Sequence, residues 1–160
     1  MEAVGAAFAV VLLLALPIGL PVLPLHTADR LGVLTARSDY QDEVGWHGLA
    51  LTVERQGRSA DVVIARNYGE AGALELFGHG LPPVASAHVS FRYWRPLVTG
   101  NQALLVGFTR DEAGFCRDYR VVRRIQMPVD NEERGRRIAR CELDATIKQI
   151  WPTILKQYAL

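Results

Sequence analysis

From Ala3 to Leu25 the chain carries no charged side chain. A helix over that run, rising about 1.5 Å per residue, covers roughly 34 Å, which suffices for the hydrocarbon of a bilayer. No basic residue precedes it, and it outlasts the apolar stretch of an ordinary signal peptide. A transmembrane helix over residues 1–25 is therefore expected, with Pro17, Pro21 and Pro24 near its exit, where a helix kinks or frays. From Pro24 to Tyr40 no period is sustained, and residues 26–40 read as an irregular linker. The pattern changes at Gln41. Trp46, Leu49, Ala50 and Val53 recur at helical spacing, so an amphipathic helix is expected over 42–56, with Asp42 and Glu43 near its positive end.

Gln56-Gly-Arg-Ser is a turn, and the β-branched run Ala60–Ala65 reads as a buried strand. Tyr68–Phe77 has a short helical pattern that stops at Gly78. Val84–Phe91 and Gln102–Phe108 read as further strands, with the Leu81-Pro-Pro83 turn before the first of them. A short helix over Arg110–Cys116, strands over Tyr119–Ile125 and Arg137–Cys141, and a closing helix complete the order. In that last helix Asp144 is the expected cap, Ile147, Ile150, Trp151 and Ile154 share one face, and Pro152 is a break. Alternating strands and helices predict an α/β fold, a small sandwich with a largely parallel sheet, as one soluble domain over 41–160.

Charge narrows the function classes. Residues 26–160 carry a net charge of +2, too small and too dispersed for a nucleic-acid surface. Cys116 and Cys141 match neither a zinc pattern nor a redox pair. In an oxidising compartment they are expected to bond, and in a reducing one to be small buried side chains. Asn67 followed three residues later by Glu70 has the form of a capping box, and Glu70 places an acidic group where a phosphate would otherwise bind. The spacing matches no phosphate-binding or dinucleotide motif. His26, His47, His79 and His88 form no metal-ligand pattern, so neither a metal nor any other cofactor is expected. His88 between Ser86 and Ser90 lacks the elbow of a serine nucleophile. Phe91-Arg-Tyr-Trp-Arg95 mixes aromatic and basic groups suited to a sugar, a lipid phosphate or the membrane interface. Arg134, Arg136, Arg137 and Arg140, interrupted by Glu132 and Glu133, read as an exposed basic face.

Asn67-Tyr-Gly-Glu-Ala-Gly72, Gly80-Leu-Pro-Pro83, Ser86-Ala-His88, Tyr93-Trp94, Asn131-Glu-Glu133 with Gly135, and Ile150-Trp-Pro152 occur in an order that resembles the C-terminal soluble region of bacterial family 39 glycosyltransferases. These are membrane enzymes related to dolichyl-phosphate-mannose protein mannosyltransferases. The family pattern often reads Ser-Gly-His-Asn-Ser, where this chain has Ala87 and Val89 at the second and fourth places. The resemblance implies that the apolar run is the last span of a multi-span enzyme and that the domain lies outside the cytoplasm, against the weak opposite bias of Arg30 and Arg37. It implies a polyprenyl-phosphate-linked sugar donor, contact with membrane lipid, and a disulfide between Cys116 and Cys141. No residue matches the family's acidic catalytic motif, so no catalytic residue is assigned. Asn67, Tyr68, Glu70, His88 and Arg92 are the candidate substrate-binding residues. The alternative is a single-span, membrane-anchored binding module without enzymatic activity.

Overall fold

The computed structural model describes residues 2–156 except 96, leaving aside the side chains of 2–4, 6, 7, 17 and 156. Met1 and the last four residues of the expected soluble domain lie outside the described residues. The chain divides into two units, residues 1–44 with 129–132, and residues 45–128 with 133–160.

The first unit opens with α1 (Glu2–Gly19) and continues through three short helices, α2 (Leu25–Arg30), α3 (Val33–Ala36) and α4 (Ser38–Asp42). The apolar run is thus not one long helix. At 18 residues, α1 is about 27 Å long, and Pro21 and Pro24 remove the N–H groups that its continuation would need. Among the described residues no helix is long and apolar enough to cross a membrane. The side chains of α1 from Phe8 to Leu14, and Leu16 and Ile18, are nevertheless exposed, and nearly all of them are apolar.

The expected linker is ordered. Its helices are too short to stand alone, but Ala28, Val33 and Leu34 bury against Val129, with Leu23, Tyr40 and Val44 beside them. Arg37 donates to the Ile18 carbonyl at 2.8 Å and the Tyr40 hydroxyl to the Gly19 carbonyl at 2.7 Å, satisfying acceptors freed at the end of α1. Asn131 donates its amide to the carbonyls of Gln41 and Val44, which binds residues 129–132 into this unit. None of these long-range contacts leaves a periodic trace in the sequence.

The second unit begins with α5 (Trp46–Gly57), which starts later than the expected 42–56 because Gly45, at φ 100°, turns the chain between it and α4. Then follow β1 (Val62–Ala65), α6 (Tyr68–Phe77), β2 (Val84–Ser86), a 3-10 turn over Val89–Tyr93, β3 (Gln102–Val106), β4 (Cys116–Arg124), β5 (Arg137–Leu143) and α7 (Ile147–Lys156). The sheet order is β2-β1-β3-β5-β4. β1 pairs in parallel with β2 and β3, whereas β5 lies antiparallel between β3 and β4 in two longer ladders. The sheet is therefore mixed and mostly antiparallel, not largely parallel. The connection 107–115, expected to carry a helix, is a series of turns. It is too short for the crossover that would set β4 parallel beside β3, so β4 takes the edge and β5 fills the gap.

Both faces of the sheet are covered, which gives the layered α/β arrangement. On one face Val63, Ala65, Leu104, Val106 and Ile138 pack against Leu49, Ala50 and Val53 of α5 and Ala71 and Leu74 of α6. On the other, Val62, Ile64, Leu105 and Cys141 pack against Ile147, Ile150, Trp151 and Ile154 of α7. At the start of α7 Thr146 donates both its amide and its hydroxyl to Gln149 Oε1, where the sequence suggested Asp144 as the cap. Cys116 and Cys141 form a disulfide between β4 and β5. Closing a loop of 25 residues is worth about 3.5 kcal/mol by chain entropy.

Candidate functional site

β1 leaves for α6 and β2 on one side, and β3 lies on the other side of β1. The carboxyl ends of β1 and β3 therefore form the point at which α/β sheets open a crevice. In this chain a buried carboxyl group, that of Glu70, occupies that point. Asn67 caps α6, its Oδ1 accepting the Glu70 amide at 2.8 Å, and Glu70 reaches back so that its Oε2 accepts the amides of Arg66 at 2.8 Å and Asn67 at 3.3 Å. The capping box read from the spacing is formed. Gly107 follows β3 at φ 82°, and a Cβ there would overlap the Glu70 carboxyl. Only glycine meets both demands.

Glu133 completes the base, although it read in the sequence as part of an exposed basic face. It is 1% exposed, and its Oε1 accepts the Asn67 side-chain amide at 2.6 Å across 66 residues of sequence. Arg136 Nε stands 3.7 Å from its Oε2. Neither Glu70 Oε1 nor Glu133 Oε2 has a hydrogen-bond partner among the described residues if both groups are ionised. Two bare carboxylates cannot share a site without water, because both only accept. A proton resolves this. Burial, then the hydrogen bond and charge of Glu133, push the Glu70 carboxyl well above the usual carboxylate range, against the opposing Asn67 and Arg66 amides. These surroundings favour the protonated form of Glu70, the form that can donate to Glu133. In that form it supplies no negative charge at the start of α6, where its position in the sequence suggested one.

Around this base sits a more accessible rim. Arg66 Nε binds Glu112 Oε1 at 2.9 Å, which ties the loop after β1 to the loop after β3. Glu112 is oriented by Thr109, whose amide donates to Oε2 at 2.8 Å while the Glu112 amide donates back to the Thr109 hydroxyl. Burial disfavours the charged Glu112, but the bonds from Thr109 and Arg66 outweigh it and lower its pKa. Tyr68 is 57% exposed, with its ring 5.4 Å from that of His88. His88 Nδ1 accepts the Tyr68 amide at 3.4 Å, which places the imidazole proton of the neutral ring on Nε2.

Of the five sequence candidates, Asn67, Tyr68, Glu70 and His88 meet at one sheet edge. Arg92 does not join them. Its side chain lies over the ring of Tyr93 and donates to that hydroxyl at 2.9 Å. Arg66, Gly107, Glu112 and Glu133 were missed as site residues. For Glu133 the usable signal was Asn131-Glu-Glu133 in the ordered motif set. The expected strand Val84–Phe91 ends at Ser86, since Val89 has φ 50° and breaks the ladder. That left-handed conformation suits Asn and strains a β-branched residue.

The site yields two predictions. Glu70→Gln keeps an acceptor for the Arg66 and Asn67 amides and donates to Glu133, so it folds as stably as the parent at neutral pH. The parent binds the Glu70 proton more tightly when folded than when unfolded. The Glu70 contribution to stability is greatest below the unfolded value of about 4.3 and is lost as pH rises through the raised one, with a slope of up to about 1.4 kcal/mol per pH unit. Urea unfolding from about pH 5 to about pH 8 should show this slope in the parent and not in Glu70→Gln. Identical profiles would contradict the shared proton. Val89→Asn relieves backbone strain at a half-exposed position and should raise the urea midpoint by the equivalent of about 1 kcal/mol. A lowered midpoint would show that the valine side chain is needed there.

No family model, curated protein or solved structure gives a significant match to this chain.

Proposed function

We propose that this chain is the C-terminal extracytoplasmic domain of an integral-membrane glycosyltransferase that takes its sugar from a polyprenyl-phosphate carrier, with the catalytic loop supplied from outside this chain. One observation carries the reading. Residues from three of the motifs that resemble family 39 enzymes, namely Asn67 and Glu70, His88, and Glu133, are distant in sequence and meet at the carboxyl end of β1. Convergence of this kind is expected when a shared site, and not chance, orders the motifs.

The residues divide into two roles. Glu70 is fully buried, out of reach of a substrate, and acts as the base of the site. Tyr68 and His88 form its accessible rim, where an aromatic face and an imidazole suit a sugar ring or an acceptor hydroxyl. The Cys116–Cys141 disulfide fits an oxidising, extracytoplasmic compartment. In this reading α1 is the membrane-embedded segment. At about 27 Å it falls slightly short of the hydrocarbon thickness of roughly 30 Å, a mismatch that local thinning accommodates.

The all-round exposure of apolar side chains on α1 also fits the alternative, an anchored binding module without activity. Reading the genomic sequence upstream of Met1 in the same frame separates the two. Several apolar spans with an acidic extracytoplasmic loop are expected. A promoter and ribosome-binding site directly before Met1 would overturn the glycosyltransferase reading and leave the module.

A further inference from the structure

The segment after His88 is not used by the site described above, yet it displays large apolar groups. Val89, Tyr93, Trp94 and Leu97 are all exposed, Trp94 to 65% and Leu97 to 89%. Side chains of this size on one short loop are not what a water-facing turn carries. The loop's base is fixed. Phe91 packs against the core beneath α5 and α6, the Trp94 ring meets Phe91 edge-on, and Trp151 of α7 donates its indole N–H to the Arg92 carbonyl at 3.3 Å. Tyr93 and Trp94 therefore stand on backbone that is held in place.

The charge of the loop is one-sided. No acidic residue occurs from Leu76 to Arg110. Arg92 and Arg95 make no ion pair among the described residues; Arg92 is exposed, whereas Arg95 is half-buried with its Nε covered. An anchored apolar tip of Trp, Tyr and Leu beside two uncompensated guanidinium groups is complementary to one surface in particular. Indole and phenol rings favour the headgroup layer, leucine the acyl boundary, and arginine the lipid phosphate.

We propose that the Val89–Arg95 segment, together with Leu97, docks on the surface of an anionic phospholipid bilayer, with Trp94 and Leu97 entering the interface and Arg92 and Arg95 facing lipid phosphate. This deepens the proposed function and rests on its membrane-anchored reading. An anchor keeps the second unit near a bilayer, so that a contact too weak to bind from solution becomes populated.

The test uses the full chain reconstituted in phosphatidylcholine vesicles with and without phosphatidylglycerol, and with acyl chains brominated near the headgroup. The difference between the parent and Trp94→Phe isolates the Trp94 emission from that of Trp46 and Trp151. Quenching and a blue shift of Trp94 are expected in the anionic vesicles, reduced in the neutral ones and reduced by salt. Arg92→Glu with Arg95→Glu should abolish the quenching while the chain still floats with the vesicles. Trp94 emission unchanged from water in a chain that floats would overturn the docking and leave the anchored reading intact. A chain that does not float at all would overturn both. A Trp94 shift on adding a soluble oligosaccharide without vesicles would assign the loop to a glycan and overturn the lipid surface.

Discussion

A carboxyl group removed from water must keep a proton or find a cation, and the second unit is organised around one whose surroundings favour the protonated form. Glu70 closes the cap of α6, fills the space left by Gly107 after β3, and meets Glu133 on the turn before β5. Three segments far apart in the chain thus share one small volume. Each constrains the others, since a Cβ at 107, a missing acceptor at 70 or a bare charge at 133 would open the junction. Burial and the second carboxyl group act in the same direction on Glu70 and together exceed the two backbone amides that favour its anion. Neither the strand ends nor the start of α6 can move apart without exposing an unsatisfied group, which costs more than an ordinary hydrogen bond returns.

This rigidity is what allows the rim to be chemically varied. Arg66 and Glu112 tie the loops after β1 and β3 from outside, Thr109 holds Glu112, and Tyr68 and His88 stand on backbone already fixed by the cap. The strain at Val89 falls at the edge of the same region, where the chain leaves β2 and turns its aromatic side chains outward. The far edge of the sheet is stabilised differently. There the Cys116–Cys141 disulfide joins β4 to β5, and β4 is lined with Arg117, Arg120, Arg123 and Arg124, charges that discourage pairing with another chain.

Local devices were legible in the sequence and distant ones were not. The α6 cap could be read because Asn67 and Glu70 are one helical turn apart and act on each other's backbone. The apolar face of α7 could be read because Ile147, Ile150, Trp151 and Ile154 repeat at helical spacing. Glu133 could not, because its partner Asn67 is 66 residues away and its neighbours are arginines that suggest solvent. The sheet was misread as largely parallel because periodicity marks where strands lie and not which strand inserts between which. The short helices α2 to α4 were taken for an irregular linker because they depend on Val129 and Asn131, which return from far along the chain. The strand over 84–91 was overextended because nothing in its composition announces the left-handed turn at Val89.

The central claim is that Glu70 holds a proton against Glu133 inside the folded protein. The carbon-13 chemical shift of the Glu70 side-chain carboxyl, followed through a pH titration, reads that proton directly. The account predicts a protonated shift that persists well above about pH 4.3, where exposed glutamates have already moved to the ionised value. A Glu70 resonance that titrates together with the exposed glutamates would contradict it.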